Sequence, residues 1–190
     1  YPSVVTLIEL AMGRRPRPRL LGAIALSAAG TGLVVAAGAE VTITTAGAVF
    51  ALLSAGSFAV YLLVSHRVIE RTDGLTTGAW VALGAGLAQL ARAVTTGDLQ
   101  PVDGHWPEML LNGLATAAAF GLMFAALRRL GPSPTAVVMT LEAVSAIVLA
   151  AIFLDETLSP LQLVGGAAIL VATLLVGLTR DPAVQPETVP

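Results

Sequence analysis

Long apolar runs constrain the fold of this chain more than any other feature. Six runs have about the 20 residues that a helix needs to cross the hydrocarbon core of a bilayer. They occupy residues 20–39, 46–65, 75–94, 109–127, 135–154 and 158–179, and a shorter run occupies residues 1–12. The pattern predicts an all-α membrane protein, built as a multi-pass helical bundle.

Composition supports this fold class and excludes several kinds of chemistry. Hydrophobic residues make up 56% of the chain and charged residues 12%, against about 25% charged in soluble domains. The net charge of −2 gives no basic field for nucleic acid. There is no cysteine, and all ten basic residues are arginine, which excludes thiolate chemistry, a Walker A lysine and a Schiff-base cofactor. We therefore expect no cofactor and no metal.

The loops between the apolar runs alternate in charge. Nine of the ten arginines fall in alternate loops, and acidic residues occupy the others. The arginines of these loops are Arg14, Arg15, Arg17, Arg19, Arg67, Arg71, Arg128, Arg129 and Arg180, and the acidic residues are Glu40, Asp98, Asp103, Glu108, Asp155 and Glu156. By the positive-inside rule the arginine side is cytoplasmic. We expect a multi-pass protein of the plasma (inner) membrane with a cytoplasmic C-terminus.

Two segments have the same layout and opposite loop charge. "PSVVTLIELAMGRRPRPRLLGAIALSAAGTGLVV" and "AVSAIVLAAIFLDETLSPLQLVGGAAILVATLLV" each contain an apolar helix, a charged loop with proline and a second apolar helix, with Gly22 corresponding to Gly165. One loop carries four arginines, whereas the other carries Asp155 and Glu156. The two copies are five helices apart, and an odd number of membrane crossings gives them opposite orientations in the membrane. Inverted repeats of this kind are typical of secondary transporters.

The run "ALRRLGPSPTAVVMTLEAVSAIVLAAIFLDETLSPLQLVGGAAILVATLLV" resembles the end of an EamA-type domain of the drug/metabolite transporter superfamily. The resemblance implies ten helices in two inverted five-helix repeats, both termini cytoplasmic, and export of small metabolites or drugs. The first repeat would be partial, at residues 1–39, followed by a linker at 40–45, a complete second repeat at 46–180 and a disordered tail at 181–190. We expect a fragment lacking about three helices. Two residues depart from the pattern of that family. Ala143 stands where the family often has proline after the glutamate, which argues against a helix kink at Glu142, and Arg14 stands where first domains often have glutamate.

Glu142 lies near the middle of the run 135–154, where a charge is costly unless it faces a protein interior or water. Two interpretations stay open: Glu142 meets a cationic substrate or a proton, or it ties helices together. On a helical wheel Thr135, Glu142 and Ser145 share a face. The predicted substrate or proton pathway comprises Glu142, Ser145, Thr135, Tyr61, Ser57, Thr116 and Asn112.

The leading functional hypothesis is a secondary transporter with a site between two inverted halves near the bilayer midplane. Its partners would be a small-molecule substrate, the lipid bilayer, and protons or a counter-substrate, with no nucleic acid; a homodimer stays open. A non-transporting membrane subunit or truncated remnant is the alternative. A membrane enzyme is disfavoured because the chain has no H-E-x-x-H, no G-x-S-x-G and no Cys/His pair.

Overall fold

The structure is a computed structural model that describes residues 1–14, 16–37, 44–99 and 104–178. Within these ranges every regular element is a helix, which confirms the all-α prediction. The helices are α1 (Pro2–Ala11), α2 (Pro18–Ala37), α3 (Thr45–Ile69), α4 (Gly74–Thr96), α5 (Trp106–Leu130), α6 (Pro132–Met139), α7 (Leu141–Phe153) and α8 (Pro160–Leu178). Arg15, Glu40, Asp103, Arg180, the tail at 181–190 and most of the linker lie outside the described residues.

Five helical segments of the described residues are long and apolar enough to cross a membrane. They are α2, α3, α5, the α6–α7 segment and α8, and they confirm a multi-pass membrane protein. The predicted span 75–94 does form a helix, α4, but this helix is not among the five. Polar residues interrupt its apolar sequence at Thr76, Thr77, Gln89 and Arg92.

The chain divides into two compact units. The first contains the described parts of Tyr1–Leu63 and Leu130–Pro190, and its main contact is between α2 and α8. There the backbones approach so closely that a Cβ atom on Gly165 would lie 2.6 Å from the carbonyl oxygen of Gly30, and the reverse distance is also 2.6 Å. The adjoining core is apolar and comprises Ala23, Ile24, Val137, Ala172 and Val176.

The second unit, Val64–Arg129, contains the end of α3 together with α4 and α5. Phe124 of α5 is 1% exposed and packs against Gly74 and Gly78 of α4, where the missing side chains leave room for its ring. Asp73 begins α4 by accepting a hydrogen bond from the backbone N–H of Thr76 at 3.1 Å. Such an N-cap satisfies a donor that the first helical turn leaves unpaired.

Candidate functional site

The predicted continuous helix 135–154 is instead two helices that meet at Thr140. α6 begins earlier, at Pro132, directly after Gly131 with a φ of 81°, and ends at Met139. α7 begins at Leu141. The two helices together form one candidate membrane span, Pro132–Phe153, so the predicted span at 135–154 is present, with an interruption at Thr140.

A side chain accounts for the break. The Thr140 hydroxyl donates to the carbonyl oxygen of Val137 at 2.6 Å, and the Thr140 N–H also bonds to that oxygen at 3.1 Å. These bonds span three residues, whereas the regular helical bond spans four, so they tighten the last turn of α6. A threonine hydroxyl thus takes part of the role that a proline has in other broken helices.

The break places Glu142 in the first turn of α7, where its side chain is exposed. The unpaired N–H groups of a helix start carry partial positive charge, which stabilises a carboxylate there. Glu142 is thus an accessible acidic group near a helix start.

Aromatic residues from two other segments pack against one another. The rings of Tyr1 and Phe58 meet edge to face, with centroids 5.0 Å apart and an interplanar angle of 69°. Phe58 in turn lies 5.8 Å from Tyr61, one turn further along α3. All three residues are partly exposed, so part of their surface stays accessible. The structure therefore places Tyr61, one of the predicted pathway residues, in an aromatic cluster with Phe58 and Tyr1.

The other predicted pathway residues have different surroundings. Thr135 is fully buried, and its hydroxyl donates to the carbonyl oxygen of Gly131 at 2.7 Å. Ser145 and Ser57 are exposed. The break at Thr140 separates buried Thr135 from exposed Glu142 and Ser145, so the three do not form one accessible stripe. Asn112 and Thr116 are exposed on α5, in the second compact unit. A role for these residues in a pathway stays a prediction.

The structure also contains a buried carboxylate that the sequence reasoning missed. Glu9, near the end of α1, is 8% exposed. It accepts a hydrogen bond from the Ser133 hydroxyl of α6 and forms an ion pair with Arg14 at 3.2 Å. The Ser133 hydroxyl also lies 2.8 Å from the Thr6 hydroxyl, in a contact where either oxygen can donate. The signal was available, because Glu9 interrupts the run 1–12 just as Glu142 interrupts 135–154.

Carboxylates and histidines do not gather into a metal site in the described part of the chain, where no group of three or more possible ligands occurs. His66, in the last turn of α3, pairs at 3.5 Å with Glu70, the residue directly after that helix. The notable polar features of the described residues are an exposed carboxylate, Glu142, and a buried carboxylate, Glu9, which is bonded to the Ser133 hydroxyl and to Arg14.

The helices thus define a multi-pass membrane protein in which one spanning segment is broken next to an acidic residue. Residues 45–178 match the model of the EamA-like transporter family. This match covers well over half of the sequence, so the chain belongs to that family, within the drug/metabolite transporter superfamily, and is a membrane transporter of that type. No curated protein and no solved structure matches it.

Proposed function

We propose that this chain forms the substrate site of a secondary transporter that exports small metabolites or drugs without ATP hydrolysis. The site lies near the bilayer midplane between two inverted halves, and it opens alternately to each side. The protein is not an enzyme, it resides in the plasma (inner) membrane, and its C-terminus is cytoplasmic. The arginine asymmetry of the loops supports this orientation.

The observation that carries the proposal is the break between α6 and α7, directly before Glu142. Broken helices in secondary transporters turn helix ends and irregular backbone toward substrates and ions at membrane depth. A carboxylate at such a place faces either a substrate or water, because an unpaired charge in lipid is costly. Glu142 therefore binds a cationic group of the substrate or carries a proton.

The aromatic cluster and the predicted pathway residues support an amphipathic substrate. Tyr1, Phe58 and Tyr61 offer partly exposed ring surface, and a ring face attracts a cation within about 6 Å of its centre. Exposed hydroxyls at Ser57 and Ser145 add hydrogen-bonding groups. Amino acids, sugars and amphipathic drugs are the classes to test first.

Transport by the purified full-length protein in proteoliposomes tests the proposal, because the site needs both halves. Vesicles are preloaded with one unlabelled compound from each class, and counterflow uptake of its labelled form is measured. We expect counterflow for at least one class and none in protein-free vesicles. Equal uptake with and without protein across the three classes contradicts the proposal. Dissipation of the proton gradient during uptake then separates proton coupling from exchange.

A further inference from the structure

The buried carboxylate on α1 belongs to a hydrogen-bonded cluster that joins two distant parts of the chain. Thr6, Glu9 and Arg14 come from α1 and the turn after it, and Ser133 comes from the first turn of α6. We call these four residues the Glu9 latch. Ser133 is fully buried, Thr6 is 3% exposed, and the two are 127 positions apart in sequence.

Two donors of the cluster bind the Glu9 carboxylate, and a third supports one of them. Ser133 has a single hydroxyl hydrogen, and it donates this hydrogen to Glu9. The Thr6 hydroxyl is therefore the donor to Ser133, and it also lies 3.1 Å from the carbonyl oxygen of Pro2, to which it can donate as well. The Arg14 guanidinium supplies the positive charge that the Glu9 carboxylate needs. Each polar atom of the closed cluster therefore has a partner, as burial requires.

The cluster lies at one end of the helices and connects the two predicted repeats. α1 belongs to the first repeat, 1–39, and α6 to the second, 46–180. Glu9 directly precedes the arginine-rich loop, and Ser133 closely follows Arg128 and Arg129. Both flanks carry the positive charges that predict the cytoplasmic side. The latch thus fastens one half to the other at the predicted cytoplasmic end.

The chemistry of this contact suits repeated opening. When the hydroxyls and the carboxylate separate, water replaces each lost partner, so the net cost is much smaller than the strength of the bonds themselves. The Arg14 side chain is already 50% exposed and keeps its hydration throughout. The contact between Gly30 and Gly165 differs, because water offers no substitute for close packing of apolar surface. The polar contact is the one that opens more easily.

We propose that the Glu9 latch is the cytoplasmic gate, closed in this structure and broken when the pathway opens to the cytoplasm. The inference rests on the proposed function, since only a transporter needs such a gate. It assigns Glu9 a role different from that of Glu142: Glu142 meets the transported species, whereas Glu9 controls access to it by holding α1 against α6.

Distance measurement by electron paramagnetic resonance tests the gate. The chain has no cysteine, so spin labels attach only at Leu10→Cys and Leu178→Cys. Both leucines are exposed, at 43% and 80%, and they mark the ends of α1 and α8. α8 packs against both α2 and α6 and so provides the reference for movement of α1. The labelled chain is studied in lipid nanodiscs.

Two variants weaken the latch, and two matched controls do not. Ser133→Ala removes only a hydroxyl, and Glu9→Gln removes the charge while keeping the side-chain shape. Ser54→Ala and Glu156→Gln make the same chemical changes at exposed positions outside the cluster. In the parent we expect one short, narrowly distributed distance between the two labels. In both latch variants the population with a longer distance should rise about tenfold, because each variant weakens a hydrogen bond to a charged group.

The controls should keep the distribution of the parent. An unchanged distance in both latch variants overturns the gate and leaves the cluster as a permanent link between helices. Unfolding of Ser133→Ala without a separated population overturns it as well. The measurement uses no substrate, so it is independent of the transport test: absence of counterflow contradicts the proposed function, whereas an unchanged distance contradicts the gate.

Discussion

The close approach of α2 and α8 makes a quantitative prediction about Gly165. In Gly165→Ala the new Cβ atom would lie 2.6 Å from the carbonyl oxygen of Gly30, 2.9 Å from a methyl carbon of Val34 and 3.0 Å from the Cβ of Leu33. The first contact is with backbone, which cannot rotate away, so the two helices must separate. Overpacking of this kind costs about 1–3 kcal/mol.

The neighbouring glycine provides a matched control. Gly166 is also buried on α8, but a Cβ atom there would meet only the end of Ile147, at an ordinary 3.7 Å. Gly166→Ala should therefore gain about 0.5–1 kcal/mol from the lower backbone entropy of alanine in the unfolded chain. The two substitutions are chemically identical, and we expect their unfolding free energies to differ by about 2 kcal/mol or more.

Unfolding of the detergent-solubilised chain by added SDS, followed by circular dichroism, measures this difference. Gly30→Ala should behave like Gly165→Ala, because its Cβ would lie 2.6 Å from the carbonyl oxygen of Gly165. If Gly165→Ala proves as stable as Gly166→Ala, the helices are not packed backbone to backbone at this point, and the reasoning is refuted.

Three further results are expected. Phe124→Ala should destabilise the second compact unit by about 3–5 kcal/mol, since the ring is buried, whereas exposed Phe153→Ala should change SDS unfolding little; equal effects would contradict this. Asp73→Ala should cost about 1 kcal/mol through loss of the α4 cap, and an unchanged midpoint would show that the cap contributes nothing. An Arg17→Cys chain should react with impermeant thiol reagents only after the cytoplasmic side is opened, and Asp98→Cys in intact cells; the reverse pattern would invert the topology.

Helix existence could be predicted from the sequence because a long apolar run has few alternatives in a membrane. The runs at 20–39 and 158–179 correspond to α2 and α8 within a few residues. The break at Thr140 could not be predicted in the same way. The break depends on which backbone carbonyl oxygen accepts the hydrogen bond of the Thr140 hydroxyl. The sequence does not show this, because a threonine in an apolar run can donate to more than one carbonyl.

The candidate site was predicted in part. Glu142 was singled out because a charge within an apolar run is conspicuous; it is exposed in the structure, and its role stays a prediction. Glu9 was missed because it stands near the end of its run, where Arg14 suggested a loop. Its bond to Ser133 joins residues 124 positions apart, and such pairing follows from the packing of α1 on α6, which no local pattern in the sequence encodes.

Transport by Glu142→Gln tests the central claim most directly. Glutamine keeps the size and hydrogen-bonding capacity of the side chain but cannot ionise. Counterflow and net uptake are measured in proteoliposomes across pH and normalised to folded protein, with Glu156→Gln as the control at an exposed loop carboxylate. A functional Glu142 predicts loss of transport with normal expression and folding. Parent-level transport with an unchanged pH profile would contradict the account and leave Glu142 as a structural residue.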